Sequence, residues 1–161
     1  MISLVRVDNR LIHGQVVEAW VPALKAARIV VADDEAAGSD LVRAAMGLAV
    51  PATAEVRIQP LAEVDFAAVH ADAVKTLVLV RDVGNLVEAR ERGLPLVRVN
   101  LGNVHHRPGR RPVTPSVFLS QLELDQLTML TSSGVEVEAR AVPGERAVSL
   151  PELKDRYGKG G

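Results

Sequence analysis

Short runs of β-branched and aliphatic residues alternate along this chain with stretches whose apolar positions recur every three to four residues. The runs predict strands at ISLVRV (2–7), ARIVVAD (27–33), EVRIQP (55–60), TLVLVR (76–81), LVRVN (96–100), a short one near PSVFL (115–119), and VEVEARAV (135–142). The helical pattern falls near 14–26, 39–48, 61–71, 84–92, 120–133 and 149–157. Inner strands that are apolar almost throughout belong to a parallel sheet covered on both faces. The predicted fold is therefore α/β: an open, mostly parallel sheet of about seven strands with helices on both faces. The last strand alternates instead, with Val135, Val137 and Ala139 against Glu136, Glu138 and Arg140, which predicts an edge strand with one wet face and leaves room for an antiparallel edge.

Boundary chemistry agrees with these elements. Ser120-Gln-Leu-Glu123 is a capping box and Ser149-Leu-Pro-Glu152 repeats it, with Pro151 tolerated in the first turn. Gly93 and Gly134 fit C-terminal stops. Leu122, Leu124, Leu127 and Leu130 are expected in the core, as is Trp20. The chain reads as one domain over residues 1–157, with 158–161 as a disordered tail.

Composition narrows the function. The chain of 161 residues is 48% apolar and 24% charged, with a net charge of −1, so no global field draws it to nucleic acid. It has no cysteine, which removes disulfides, thiolate nucleophiles and zinc-thiolate sites. No signal peptide and no run near the ~20 apolar residues of a membrane span is visible, so a cytoplasmic protein is expected, with any membrane role routed through partners.

The densest chemistry lies in RVDNRLIHGQV, residues 6–16, where a strand gives way to a helix. Ligands of open α/β sheets bind beyond the carboxyl ends of the strands, and residues 8–13 lie at such an end. Gly14, Gln15 and Val16 would open the helix with free N–H groups. Arg10 adds a planar donor fork suited to phosphate oxygens. His13 supplies a ring nitrogen that is nucleophilic when neutral. Together with Asp8 and Asn9 these residues describe a histidine that accepts a phosphoryl group and a cradle that holds it. Considered singly, each is as readily a turn former, a cap or a solvated charge.

Other constellations are weaker. Asp33, Asp34 and Glu35 sit where a ribose-binding acid would stand, but no GxGxxG precedes them. Asp8, Asp34 and Asp82 suggest a phospho-aspartate receiver, yet Asn100 stands at the end of the fifth strand where a lysine is wanted. The basic loop His105-His106-Arg107 with Arg110 and Arg111 offers contact to phosphate or a partner as readily as a solvated surface, and its adjacent histidines make a poor metal site.

The stretch DNRLIHGQV resembles the signature loop of the IIB component of mannose/fructose/sorbose-class sugar phosphotransferase systems (PTS). VVADDE (30–35), LVRVNLGN (96–103) and GVEVEARAVP (134–143) are similar to further stretches of that family, in the same order. The resemblance implies a cytoplasmic phosphotransferase that takes phosphate from a phosphohistidine on a IIA partner. It delivers it to a sugar carried by membrane IIC and IID partners, which hold the protein peripherally at the inner membrane. It implies His13 as the phosphorylated residue, attacking through Nδ1, and Arg10 as the phosphate-stabilising one, within a loop of Asp8, Asn9, Gly14 and Gln15. Nε2–H would be held by a carbonyl or carboxylate, for which Asp8 is a candidate. His106, Arg107, Arg110 and Arg111 would meet the partner or the phosphate. No cofactor or metal is needed, because the donor is already a high-energy phosphoramidate. Nothing in the sequence decides for or against a homo-oligomer. The chain departs from the family at Asn9, where Asp is usual, at Asn103, where a second Gly is common, and at His105-His106, where an aromatic is common. A regulatory phosphocarrier uncoupled from transport and a non-catalytic anion-binding domain are the alternatives.

Overall fold

A computed structural model describes residues 1–160 of the chain. Its strands are β1 (Ile2–Asp8), β2 (Arg28–Ala32), β3 (Glu55–Gln59), β4 (Thr76–Val80), β5 (Arg98–Asn103), β6 (Arg111–Pro112), β7 (Phe118–Leu119), β8 (Glu136–Ala139) and β9 (Val148–Ser149). Its helices are α1 (Val21–Leu24), α2 (Asp34–Ala37), α3 (Asp40–Ala49), α4 (Phe66–Ala71), α5 (Val83–Glu91), α6 (Gln121–Ser132) and α7 (Leu150–Lys159). Seven strands form one sheet in the order β3-β2-β4-β1-β5-β8-β9, and only the β8–β9 pair is antiparallel.

The alternation of side chains along each strand divides the core in two. Val5 and Val7 of β1 join Val99 and Leu101 of β5 beneath α4, α5, α6 and α7. Leu4, Ile29, Val31, Leu77 and Leu79 face the other way, against Leu11, Ile12, Val16 and Trp20. Helices thus cover both faces, as near-continuous apolar strands require. The chain leaves β1 toward β2 on one side and later crosses β1 from β4 to β5 on the other. The crevice beside the carboxyl end of β1 is therefore the natural ligand position.

Several expectations need correction. VEVEARAV does not make the edge strand: β8 pairs in parallel with β5 and is itself covered by β9, so Glu138 is buried rather than wet. The segment near 115–119 makes only a short strand outside the seven-stranded sheet: β7 pairs with β6 in a separate ribbon, and a single parallel bridge from Val117 to Val104 ties it to the end of β5. Leu122 is exposed, because it points away from the stripe of Leu124, Leu127 and Leu130. The tail is ordered further than expected, with α7 running through Lys159 and Gly160 as its C-cap, while Gly161 lies outside the described residues. Ser120 and Glu123 form the reciprocal capping box, whereas Ser149 accepts from the Glu152 N–H with no reciprocal bond among the described residues. No helix among the described residues is long and apolar enough to cross a membrane.

Candidate active site

Beyond Asp8 the chain turns sharply. The Leu11 N–H donates to the Asp8 carbonyl at 2.9 Å, and Leu11 itself takes a left-handed φ of +57°. That conformation costs a side-chain-bearing residue of order 1–3 kcal/mol, and here burial of the Leu11 side chain holds it. The turn carries His13 back over the strand end. The His13 carbonyl accepts the Val17 N–H at 3.1 Å, so Gly14, Gln15 and Val16 open the helix with no intrahelical acceptor for their own N–H groups. A π-helical turn over Val16–Trp20 follows, a form concentrated at functional sites.

Asp8 is the centre of the site. It is fully buried, and its Oδ2 receives His13 Nε2 at 2.8 Å, Asn103 Nδ2 at 2.9 Å and Arg6 Nε at 3.1 Å. Its Oδ1 accepts the Arg10 backbone N–H at 3.0 Å. Burial alone would raise the Asp8 pKa, but the bond from His13, the Arg6 charge and the bond from Asn103 outweigh it and hold the carboxyl below its ordinary value. An ionised Asp8 can only accept, so the Nε2 facing it carries the proton. A neutral His13 then has its lone pair on Nδ1. That atom is buried and has no hydrogen-bond partner among the described residues.

Arg6 lies on β1 and is also fully buried. Its Nη1 donates to Asn100 Oδ1 at 2.6 Å and to the Arg140 carbonyl at 3.1 Å, and its Nη2 donates to the Ala141 carbonyl at 3.1 Å. The guanidinium stands 5.1 Å from the centre of the Trp20 ring, which Arg140 faces at 5.4 Å. Trp20 Nε1 donates to the same Ala141 carbonyl at 2.9 Å. Gly102 makes room for this arrangement: a Cβ there would come within 2.0 Å of Arg6 Cζ. Gly102→Ala should therefore displace the guanidinium and lower the melting temperature, while the Gly14→Ala change, which meets nothing within 4 Å, should leave it nearly unaltered. Paired thermal melts check this.

The residues singled out in the sequence fall into two groups. Asp8, Asn9, Arg10, His13, Gly14 and Gln15 converge on the end of β1. Arg10 is exposed, and its guanidinium makes no hydrogen bond or ion pair among the described residues. Asn9 is tied by its N–H to the Asn103 carbonyl at 2.9 Å and by its own carbonyl to Arg81 at 3.4 Å. The basic loop leaves the carboxyl end of β5, but none of its side chains hydrogen-bonds to His13 among the described residues. Arg110 is committed to Glu123 at 2.8 and 3.0 Å and to the His105 carbonyl, so it braces the start of α6. Arg111 lies over Tyr157 and His106 stands edge-on to Phe118, while Arg107 is exposed.

The sequence assigns no site role to Arg6, Asn100 or Arg81. The signal was a polar residue inside an otherwise apolar strand: Arg6 in ISLVRV and Asn100 in LVRVN. Arg81, at the end of β4, holds Asp33 through two bonds of 2.9 and 2.7 Å and links three strand ends. No group of side chains suited to a metal ion occurs among the described residues.

A chemically loaded first βα loop on an open parallel sheet defines a doubly wound α/β protein with its chemistry at the carboxyl end of β1. The family model of the PTS system sorbose subfamily IIB component matches residues 2–158, and the chain belongs to that family. It is 30% identical over 159 residues to the N-acetylgalactosamine-specific phosphotransferase enzyme IIB component 1 of Escherichia coli, covering 94% of this chain and 97% of that one. The IIBSor domain of the sorbose permease from Klebsiella pneumoniae superposes with a TM-score of 0.86 at 25% identity, covering 96% of this chain and 97% of that one. The mannose-specific EIIAB component of Escherichia coli is 26% identical over 99% of this chain, which spans 50% of that longer protein. Phosphoryl transfer in PTS sugar uptake is accordingly the role of this chain.

Proposed function

We propose that His13 is the phosphoryl carrier, charged by a phosphohistidine on a IIA protein and discharged to a sugar held by membrane IIC and IID partners. The observation that carries the reading is the His13 ring itself: Nε2 is committed to Asp8 at 2.8 Å, and Nδ1 is left without a partner. The Nδ1 lone pair attacks phosphorus in line, and the donor's P–N bond breaks with its electron pair returning to the donor imidazole. The second transfer reverses this at His13, with the sugar hydroxyl attacking and losing its proton. Because Nδ1 is covered in the resting protein, docking of a partner has to shift the 9–13 loop or turn the ring. Fusion of IIA with IIB in the mannose-specific EIIAB relative supports a IIA donor. Arg107 and Arg111 at the same end of the sheet offer a basic rim for that partner.

The test is incubation with phosphoenolpyruvate, the general phosphotransferase proteins and a IIA partner, read by intact mass. One added phosphoryl group is expected, and a protein that never gains it refutes the reading.

Arg10, exposed three residues before His13 and without a side-chain partner among the described residues, is placed here on the equatorial oxygens of the transferring group. A charge-assisted contact of about 1.5–3 kcal/mol made mainly in the transition state corresponds to roughly 10- to 150-fold in rate. Arg10→Ala should slow transfer by that factor, and Arg10→Lys should recover part of it, keeping charge without the fork. Rapid-quench kinetics of both half-reactions measures this; wild-type rates in the Ala variant would make Arg10 a surface charge.

A further inference from the structure

Asn103, the last residue of β5, is buried and sends its side chain into the site. Strand register explains how. Val7 pairs with Leu101, but a shift in the ladder then sets Asp8 opposite Asn103 rather than the next residue in step. Asp8 and Asn103 therefore stand side by side at the strand ends. The Asn103 amide is buried, and its Nδ2 donates both to Asp8 Oδ2 at 2.9 Å and to Gln15 Oε1 at 3.1 Å. The Asn103 backbone carbonyl receives the Asn9 N–H at 2.9 Å. One residue thus joins the carboxylate, the first helical turn and the loop between them.

We infer that Asn103 is a positioning residue for the His13 reaction: by bridging Asp8 and Gln15 it fixes the carboxylate oxygen that holds Nε2–H. The inference rests on the phosphocarrier reading of His13. Two protons of one amide nitrogen reach two acceptors, so the amide orientation is determined and cannot turn its oxygen toward Asp8 without setting two acceptors face to face. Three side chains meet the same oxygen, but Arg6 approaches from the sheet side and His13 from the loop. Asn103 is the one that ties that oxygen to Gln15, two residues beyond His13 at the start of the helix that follows the loop. Without it the carboxylate can rotate, and the ring can take the other tautomer, placing a proton on the nitrogen that must attack.

The experiment uses the whole protein and two independent readouts. Nitrogen NMR of the labelled imidazole should show one tautomer, protonated at Nε2, in the wild type, and a mixture in Asn103→Ala. Asn103→Ala should also lower the maximal rate of phosphoryl transfer by about tenfold with little change in the apparent KM for the IIA donor, as expected for loss of one bond to a charged group away from the docking surface. Gln15→Leu removes the far acceptor and should shift both readouts in the same direction by less, which guards against a folding defect at position 103. Asn103→Ser, which keeps a donor beside Asp8, should recover part of the rate. An unchanged tautomer ratio and an unchanged rate in both Asn103→Ala and Gln15→Leu overturn the inference. The tautomer is measured on unphosphorylated protein, so a wild type that fails to accept phosphate would refute the carrier reading and still leave the positioning role open to test.

Discussion

The His13→Ala variant should accept no phosphate under conditions that label the wild type fully. Label on the wild type should be lost in acid and kept in base, the behaviour of a phosphoramidate. The expectation follows from geometry as well as residue type. His13 sits at the end of β1 with Nε2 occupied and Nδ1 unpartnered, and the free N–H groups of Gly14, Gln15 and Val16 lie just beyond it. The other histidines do not reproduce that setting: His105 and His106 lie on the exposed loop, and His70 sits on α4 at the opposite end of β1, beside Ile2. Label that survives in His13→Ala would move the chemistry to another residue, and label lost in base would assign it to an aspartate. The variant should melt near the wild type when Asp8 keeps its bonds to Arg6 and Asn103, and that control separates lost chemistry from lost folding.

Arg6→Met should cost about 3–5 kcal/mol of stability, the range for removing one partner of a buried pair and stranding the other. At roughly 2–4 °C per kcal/mol for a chain of this size, the melting temperature should fall by about 6–20 °C. The change takes the charged partner from buried Asp8, leaves Asn100 Oδ1 without its donor, and removes one of two donors from each of the Arg140 and Ala141 carbonyls. Its pH dependence has a definite sign. In the wild type the Asp8 pKa is held below the ordinary 3.8, so the stability it contributes is present above that value and is lost as the pH falls through the lower folded one. In the variant the carboxyl keeps its burial, which raises the pKa, and loses the guanidinium that opposed it. The gap between wild type and variant should therefore be widest near neutrality and should narrow below about pH 4. Adding Asp8→Asn to Arg6→Met should cost less than the sum of the two single changes, because the second removes the charge the first had stranded. Denaturant melts from pH 3 to 7 measure all of this; a loss under 1 kcal/mol, or a gap that widens in acid, would show Arg6 to be a packing residue.

Much of this protein was legible in its sequence, for a local physical reason. The runs ISLVRV, ARIVVA and TLVLV are apolar on both sides, and such segments have no stable place except inside a covered parallel sheet. The capping serine at 120 and the glycines at 93 and 134, both with positive φ, mark helix ends through bonds and dihedrals that span only a few residues. The cluster of Asp8, Arg10 and His13 is likewise local, since a strand end followed by a helix start places those residues together whatever the rest of the chain does. Tertiary structure decided everything that depends on which strand lies beside which. Glu138 looked solvated because alternation records period and not neighbours; β9 covers β8, and Arg140 and Asn100 meet the buried carboxylate. Arg110 looked free in a basic loop, and Glu123, 13 positions away, had already claimed it. Arg6 and Asn100 are 94 positions apart, and only the parallel pairing of β1 with β5 brings them to 2.6 Å. The bond of Asn103 to Asp8 depends further on a one-residue shift in that pairing. A sequence states which residues are polar, but the partner that satisfies a buried polar group is chosen by the sheet order.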